Sequence, residues 1–239
     1  MKITAEEKMM YGIMKAIYDS GIPMDFKGAM VLKACLAEAG YAEDIRHTVD
    51  IDANWNSSAA PTGEQMVDSI SEALRNSGIN LNVTLYRMYG EGRSAGFGLT
   101  DPSTDEILFS MDVDVNKPSL AARMYEIEGV RFRGVSAYQI LSDKISAIST
   151  RKVFSRIKDV VDLYYLSHII RFDRTMLIQT LEREGRTLGK FEEFINGVDE
   201  LKHAYEKFRF SGNVNKPSFE EIYSTVKNYI KAILPDNNL

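Results

Sequence analysis

Residues 47–55, His-Thr-Val-Asp-Ile-Asp-Ala-Asn-Trp, alternate without a break: Val49, Ile51, Ala53 and Trp55 fall on one side of an extended chain, Thr48, Asp50, Asp52 and Asn54 on the other. A two-residue period of this kind fits a half-buried β-strand and no helix. One such strand implies a sheet, and the segments around it show what covers that sheet. Residues 5–19 place Met9, Met10, Ile13, Met14 and Ile17 at helical spacing, ended by Ser20-Gly21-Ile22-Pro23. The segment Met24-Asp25-Phe26-Lys27 leads to Gly28 and a helix predicted over 29–39 that stops at Gly40. Pro61-Thr62-Gly63-Glu64 opens a helix over 64–76. Strands are predicted over 80–89 and 106–115, with a shorter one from Gly96 to Thr100 and a turn at Asp101-Pro102-Ser103-Thr104.

From residue 136 the pattern becomes helical. Ser136-Ala137-Tyr138-Gln139 has capping-box spacing and is followed by Ile140, Leu141, Ile145 and Ile148; further helices are predicted over 156–169, 174–184, 190–208 and 218–233. Mixed elements followed by helices indicate an α+β domain over 1–130 and a helical domain over 131–239. The sequence contains no internal repeat and no low-complexity segment.

With 239 residues and 44% hydrophobic content the chain supplies a core without staples. Its one cysteine, Cys35, sits in an apolar run and reads as a buried thiol, which fits a reducing cytoplasm. The first residues carry Glu6 and Glu7 where a signal peptide needs a basic start, and no stretch reaches membrane-spanning length, so a soluble protein with no membrane partner is expected. The net charge of −5 excludes a uniformly basic nucleic-acid binder, yet it is uneven. Residues 1–130 carry 11 basic against 20 acidic side chains, whereas residues 131–174 carry 9 against 4. Carboxylates that hold a divalent cation beside cations that meet phosphate would produce this asymmetry; so would a solvated helix face.

On a strand, Asp50 and Asp52 point the same way and repel each other unless a positive charge lies between them. Hard oxygen donors select Mg²⁺ or Mn²⁺, and Mg²⁺ is usually held by one or two carboxylates with water and substrate phosphate completing the shell. A third carboxylate on a neighbouring strand would complete a two-metal site, and Asp112 and Asp114 in Met111-Asp112-Val113-Asp114-Val115 are the candidates. Gly28 just before a helix lets backbone N–H groups approach phosphate, although glycine there also serves simple turns. Lys144 and Arg151 lie near one helix face; Arg156-Ile157-Lys158-Asp159-Val160-Val161-Asp162-Leu163 follows, with Asp159 and Asp162 also on one face. An ordinary amphipathic helix laced with salt bridges would read the same way.

In this order the pieces resemble the AbiEii-type toxin family of nucleotidyltransferases, within the polymerase-β-like superfamily. Lys27-Gly28-Ala29-Met30-Val31-Leu32 is similar to the family's glycine-pair helix start, and Arg46-His47-Thr48-Val49-Asp50-Ile51-Asp52 to its Arg-x-Ser/Thr-x-Asp-x-Asp strand. Lys144, then Arg151 with Lys158-Asp159-Val160-Val161-Asp162-Leu163, is similar to its helical motifs. Ala29 replaces the second small residue of the pair, and an alternative register at Lys33-Ala34-Cys35 gives a more usual spacing but no glycine. The resemblance implies a nucleotidyltransferase-like mixed sheet and Mg²⁺-dependent transfer of a nucleoside monophosphate from an NTP to an RNA, tRNA among them, or to a protein. It implies Asp50, Asp52 and Asp114 as metal ligands, with Asp114 favoured over Asp112 by its depth on the strand, and Lys144 against the triphosphate. Gly28, Ala29, Arg46, Thr48, Arg151, Lys158, Asp159 and Asp162 would surround the nucleotide. Members are commonly toxins with a separate antitoxin. A non-catalytic NTP- or RNA-binding module that keeps the fold is the alternative.

Overall fold

The computed structural model describes residues 3–41, 46, 48–115, 119–150, 153–171, 173–210 and 216–234. The chain forms two compact units, one of Met1–Tyr41 with Thr48–Ser136, the other of Ala42–His47 with Ala137–Leu239. Among the described residues no helix is long and apolar enough to cross a membrane.

The first unit is a mixed sheet with helices. Helix α1 (Ala5–Asp19) starts at Thr4, whose hydroxyl accepts the Glu7 N–H while the Glu7 carboxylate accepts the Thr4 N–H, a reciprocal cap. The second Glu7 oxygen accepts from Lys33 Nζ, on helix α2 (Gly28–Glu38), and this ion pair is almost wholly buried. Strands β1 (Met24–Lys27), β2 (Asp50–Trp55), β3 (Asn82–Tyr89), β4 (Ser94–Thr100), β5 (Ile107–Val115), β6 (Arg123–Ile127) and β7 (Val130–Gly134) run in the spatial order β3-β4-β5-β2-β1-β7-β6. Strand β2 lies antiparallel to β1 and parallel to β5. Helix α3 (Gly63–Asn76) packs beside β3.

Three strands differ from the sequence expectation. Residues 24–27 are a full strand, and β6 with β7 forms a hairpin within a charged stretch. The alternation there is real but short: Tyr125, Ile127 and Phe132 are buried while Arg123, Glu126, Arg131 and Arg133 face out. Its turn, Glu128-Gly129, has both residues at positive φ, the geometry that suits the right-handed twist of a two-residue hairpin.

The alternation sorts Asp50, Ile51, Asp52 and Ala53 as the sequence implies, but the strand expected over 47–55 begins at Asp50. Val49, expected on the core side, is exposed, while Thr48 and Asn54, expected on the polar side, are buried, Asn54 under its hydrogen bonds with Lys27 and Ser119. Ile51, Ala53 and Trp55 are buried, as are Phe109, Met111, Val113 and Val115 on β5 and Phe97 and Leu99 on β4. Helices α1 and α2 pack on the sheet with Met10, Ile13, Met14, Ile17, Met30 and Val31 inside. Asp50, Asp52, Ser110, Asp112 and Asp114 are only partly covered, so the opposite face of the sheet is polar where the core face is greasy.

The second unit is helical. It comprises α4 (Ala137–Thr150), a 3₁₀ turn (Val153–Arg156), α5 (Ile157–Leu166), α6 (Arg174–Arg183), α7 (Glu192–Asn196), α8 (Val198–Lys207) and α9 (Phe219–Ile233). The single helix predicted over 190–208 is divided at Gly197, where an added Cβ would lie 2.7 Å from the Glu193 carbonyl oxygen.

Candidate active site

Strand β1 ends at Lys27, whose lateral neighbour on β2 is Asp52. The chain turns at Gly28, φ +71°, and enters α2. A side chain there would collide with Asp52: an added Cβ would meet the carboxylate oxygen Oδ2 well inside contact distance, with Cγ at 3.0 Å and Cβ at 3.1 Å. Positive φ and the close carboxylate both demand glycine, so the residue that starts the helix also shapes the wall beside Asp52. Ala29 follows and is buried, and Lys33-Ala34-Cys35 lies inside α2, away from its start.

Because β2 and β1 are antiparallel, the start of α2 lies toward the N-terminal end of β2, where Asp50 and Asp52 stand. Thr48 is buried just before the strand and its hydroxyl accepts the Asp50 N–H at 3.2 Å. The parallel register with β5 pairs Asp50 with Ser110, Asp52 with Asp112 and Asn54 with Asp114. Ser110 donates to Asp50 Oδ1 at 2.5 Å. Asp112, level with Asp52, receives the Arg87 guanidinium on both oxygens at 2.7 and 2.9 Å. Asp114 stands one step further along, toward the end of β2 remote from Gly28. Lys27 Nζ reaches it at 2.6 Å while also donating to Asn54 Oδ1 at 2.7 Å, and the Ser94 hydroxyl donates to its other oxygen.

Among the described residues no three His, Cys, Asp or Glu side chains form a preassembled metal cage. The donor set nevertheless suits Mg²⁺, which tolerates a protein contribution of two carboxylates when water and phosphate fill the remaining positions. Gly28 supports this fit, since the absent side chain lets the Asp52 carboxylate lie directly against the start of α2.

In the helical unit, Lys144 and the α5 carboxylates form a second cluster. Lys144 Nζ lies 2.7 Å from Asp159 Oδ1 and 2.9 Å from Asp162 Oδ2, and Arg46 grips Asp162 with two donors at 2.8 and 3.1 Å. Arg156 stands 3.7 Å from the remaining Asp159 oxygen. Burial alone would push the Asp162 carboxyl up; the adjacent Arg46 and Lys144 charges overcome this and keep it well below the usual carboxylate range. Burial likewise opposes the Lys144 charge, but Asp162 and Asp159 raise its affinity for a proton above that of an ordinary lysine. Lys158 is exposed on the same helix, and Arg151 lies outside the described residues.

The structure thus gathers Gly28, Thr48, Asp50, Asp52 and the β5 carboxylates in one unit and Arg46, Lys144, Asp159 and Asp162 in the other. Sequence reasoning gave no role to Lys27, Ser94, Ser110 or Arg87. Lys27 adjoins Gly28 in the motif and could have been flagged, but the reach of Arg87 to Asp112 depends on strand pairing that no local pattern reveals.

The family profile described as nucleotidyl transferase AbiEii toxin, type IV TA system, matches residues 19–225. No curated protein matches the chain. Among solved structures, MenT4, a nucleotidyltransferase toxin from Mycobacterium tuberculosis H37Rv, is similar at 11% identity and TM-score 0.57, over 98% of this chain and 85% of that one. An antigenic nucleotidyltransferase-like protein from Paracoccidioides brasiliensis is similar at 12% identity and TM-score 0.50, over 89% of this chain and 98% of that one. At such identities the likeness speaks to the fold, while the profile spans both units and all the motif positions discussed above. The chain belongs to the AbiEii nucleotidyltransferase toxin family of type IV toxin–antitoxin systems.

Proposed function

We propose that this nucleotidyltransferase moves a nucleoside monophosphate from an NTP to a hydroxyl of an RNA, with Asp50 and Asp52 as the residues that would hold Mg²⁺. The observation that carries this reading is the juxtaposition of Asp52 with the glycine turn that starts α2. An anionic triphosphate is favoured at a helix N-terminus with accessible backbone N–H groups. The acceptor oxygen would bond to the α-phosphorus as the bond to the bridging oxygen of pyrophosphate breaks. Pyrophosphate would leave with the electron pair, and the acceptor proton would pass to a carboxylate or to water. Mg²⁺, when bound, neutralises phosphate charge and lowers the pKa of the attacking hydroxyl.

The strand register bears on the third carboxylate. Depth along β5 favours Asp114 when the strand is read alone; with the helix start located at the Asp50 end of β2, the same criterion supports Asp112. In this reading Asp112 lies toward the acceptor hydroxyl, and Asp114 acts through Lys27, fixing the end of β1 that leads into Gly28. Lys144 is proposed to meet triphosphate in exchange for part of its pairing with Asp159 and Asp162, with Arg46, Arg151 and Lys158 as supporting cations. As a toxin it would be restrained by a separate antitoxin.

Incubation with each radiolabelled NTP, Mg²⁺ and either total RNA or total protein tests the reading. Label from one NTP is expected in the RNA fraction. Label confined to protein would contradict the RNA acceptor while preserving the transfer chemistry, and label in neither would contradict both.

A further inference from the structure

The polar face of the sheet continues beyond the carboxylates. Across β5 from Asp112 and Asp114 lie Gly96 and Ser94 of β4, and Gly98 lies across from Ser110. Opposite Ser110, Asp112 and Asp114 the strand offers only glycine and serine to this face, which makes a low floor there. Beyond it, at the sheet edge, β3 carries a bulge between Leu85 and Arg87. The extra residue breaks the alternation, so Tyr86 joins Arg87 and Tyr89 on the carboxylate face. Gly96 shows how closely they lie over the floor: an added Cβ would come within 2.5 Å of Arg87 Nε and 3.0 Å of a Tyr86 ring carbon. The Arg87 guanidinium sits 5.0 Å from the centre of the Tyr86 ring and 5.2 Å from that of Tyr89, and extends across β4 to Asp112. Its Nε–H is buried without a hydrogen-bond partner among the described residues. Tyr86 and Tyr89 remain 46% and 52% exposed.

We propose that Tyr86, Arg87 and Tyr89 form a shelf on which a nucleobase of the acceptor RNA stacks, on the same face of the sheet as the Asp50–Asp52 pair. Two exposed aromatic rings with an arginine between them match the chemistry of single-stranded nucleic acid, which offers flat bases for stacking and phosphates for a cation. The position selects the acceptor over the donor. Gly28 lies on the β1 side of β2, whereas the shelf lies on the other side, three strand spacings from β2, or roughly 14 Å. An RNA end whose hydroxyl reaches the carboxylates from that side brings its terminal bases over the glycine floor. Arg87 couples the two places, since its guanidinium is shared between the tyrosines and Asp112.

The inference rests on the RNA-acceptor reading, and direct binding separates the two. Fluorescence anisotropy of a labelled single-stranded RNA, without NTP, is measured for wild type, Tyr86→Ala, Tyr89→Ala, the double alanine variant and Tyr86→Phe. Calorimetric titration with each NTP and Mg²⁺, thermal melts and solution mass accompany it. Each single alanine is expected to weaken RNA binding roughly ten-fold or more, the scale of one lost base stack, while Tyr86→Phe retains it and NTP affinity and melting stay unchanged. Equal RNA affinity of the double variant and wild type, or no RNA binding by wild type, overturns the shelf. Loss of NTP affinity instead would assign it to the donor base, and a changed solution mass with unchanged RNA affinity would make it a protein interface; either result also overturns it. Loss of transfer with RNA binding intact in Asp50→Asn would leave both readings standing, whereas full transfer by Asp50→Asn would remove the catalytic one alone.

Discussion

Gly28 carries two constraints at one atom, a positive φ and a carboxylate where a Cβ would go. Gly28→Ala must therefore either strain the turn or displace Asp52. A stability loss of about 1–2 kcal/mol from the left-handed backbone alone is expected, together with a larger fall in transfer than such a loss explains. Thermal melts beside initial rates check this; unchanged rates would show that Asp52 does not need its observed position. Lys144 presents the opposite balance, a nearly buried cation between two buried carboxylates. Its removal leaves Asp159 and Asp162 short of positive charge, so Lys144→Ala is expected to cost on the order of 3–5 kcal/mol, against at most about 1 kcal/mol for a surface pair. The direction of the pKa shifts sets the pH dependence. Asp162, with its folded value depressed, contributes fully above the unfolded value near 3.9 and loses that contribution as pH falls below it. Lys144, with its folded value raised, contributes fully below about 10.4 and loses it at higher pH. Asp162→Asn should therefore show a shallower acid limb in melting temperature against pH than wild type; superimposable limbs would remove Asp162 from the pH response. The sequence showed Lys144, Asp159 and Asp162 as helix-spaced charges, but spacing alone says nothing about depth, and burial is what separates this cluster from a solvated face.

At the scale of elements, the centre of β2 was legible because Asp50, Ile51, Asp52 and Ala53 alternate sharply in polarity, whereas the exposure of Val49 and the burial of Thr48 and Asn54 depend on neighbours that no period reveals. β6 and β7 were not legible, because five-residue strands crowded with arginine and glutamate offer too few alternations to stand out from a charged loop. The Glu7–Lys33 pair between α1 and α2 was equally hidden. A lysine within an apolar helix has no visible partner until the two helices are packed. Register is the property that sequence patterns specify least, since Asp112 and Asp114 share a face and differ only in which β2 residue they oppose. The pairing of Asp52 with Asp112 supports the proposed role of Asp112 as the third carboxylate. Asp112→Asn is expected to reduce the transfer rate much more than Asp114→Asn, with Asp114→Asn acting chiefly through Lys27. Initial rates of the two variants at saturating NTP check this, and the reverse order would return the third carboxylate to Asp114.

Across the whole molecule, the α+β class and the change to helices after the sheet were readable from the change in hydrophobic period. The place of Arg46 in the helical unit was not, because it depends on its pairing with Asp162, 116 positions away. Carboxylates line the polar face of the sheet, while the two acidic residues of α5, Asp159 and Asp162, are paired with Lys144, Arg46 and Arg156. The proposed nucleotidyl transfer requires the carboxylate-bearing face of the sheet to bind a divalent metal. Its most direct test is the Mg²⁺ dependence of labelled nucleotide transfer by wild type, Asp50→Ala and Asp52→Ala, each verified as folded by circular dichroism and melting. The expected result is Mg²⁺-dependent transfer by wild type and none above background by either variant, with melting temperatures equal to wild type or higher, because each substitution relieves like-charge repulsion. Transfer by a folded Asp50→Ala protein at the wild-type rate would contradict the account and place the chemistry elsewhere on the chain.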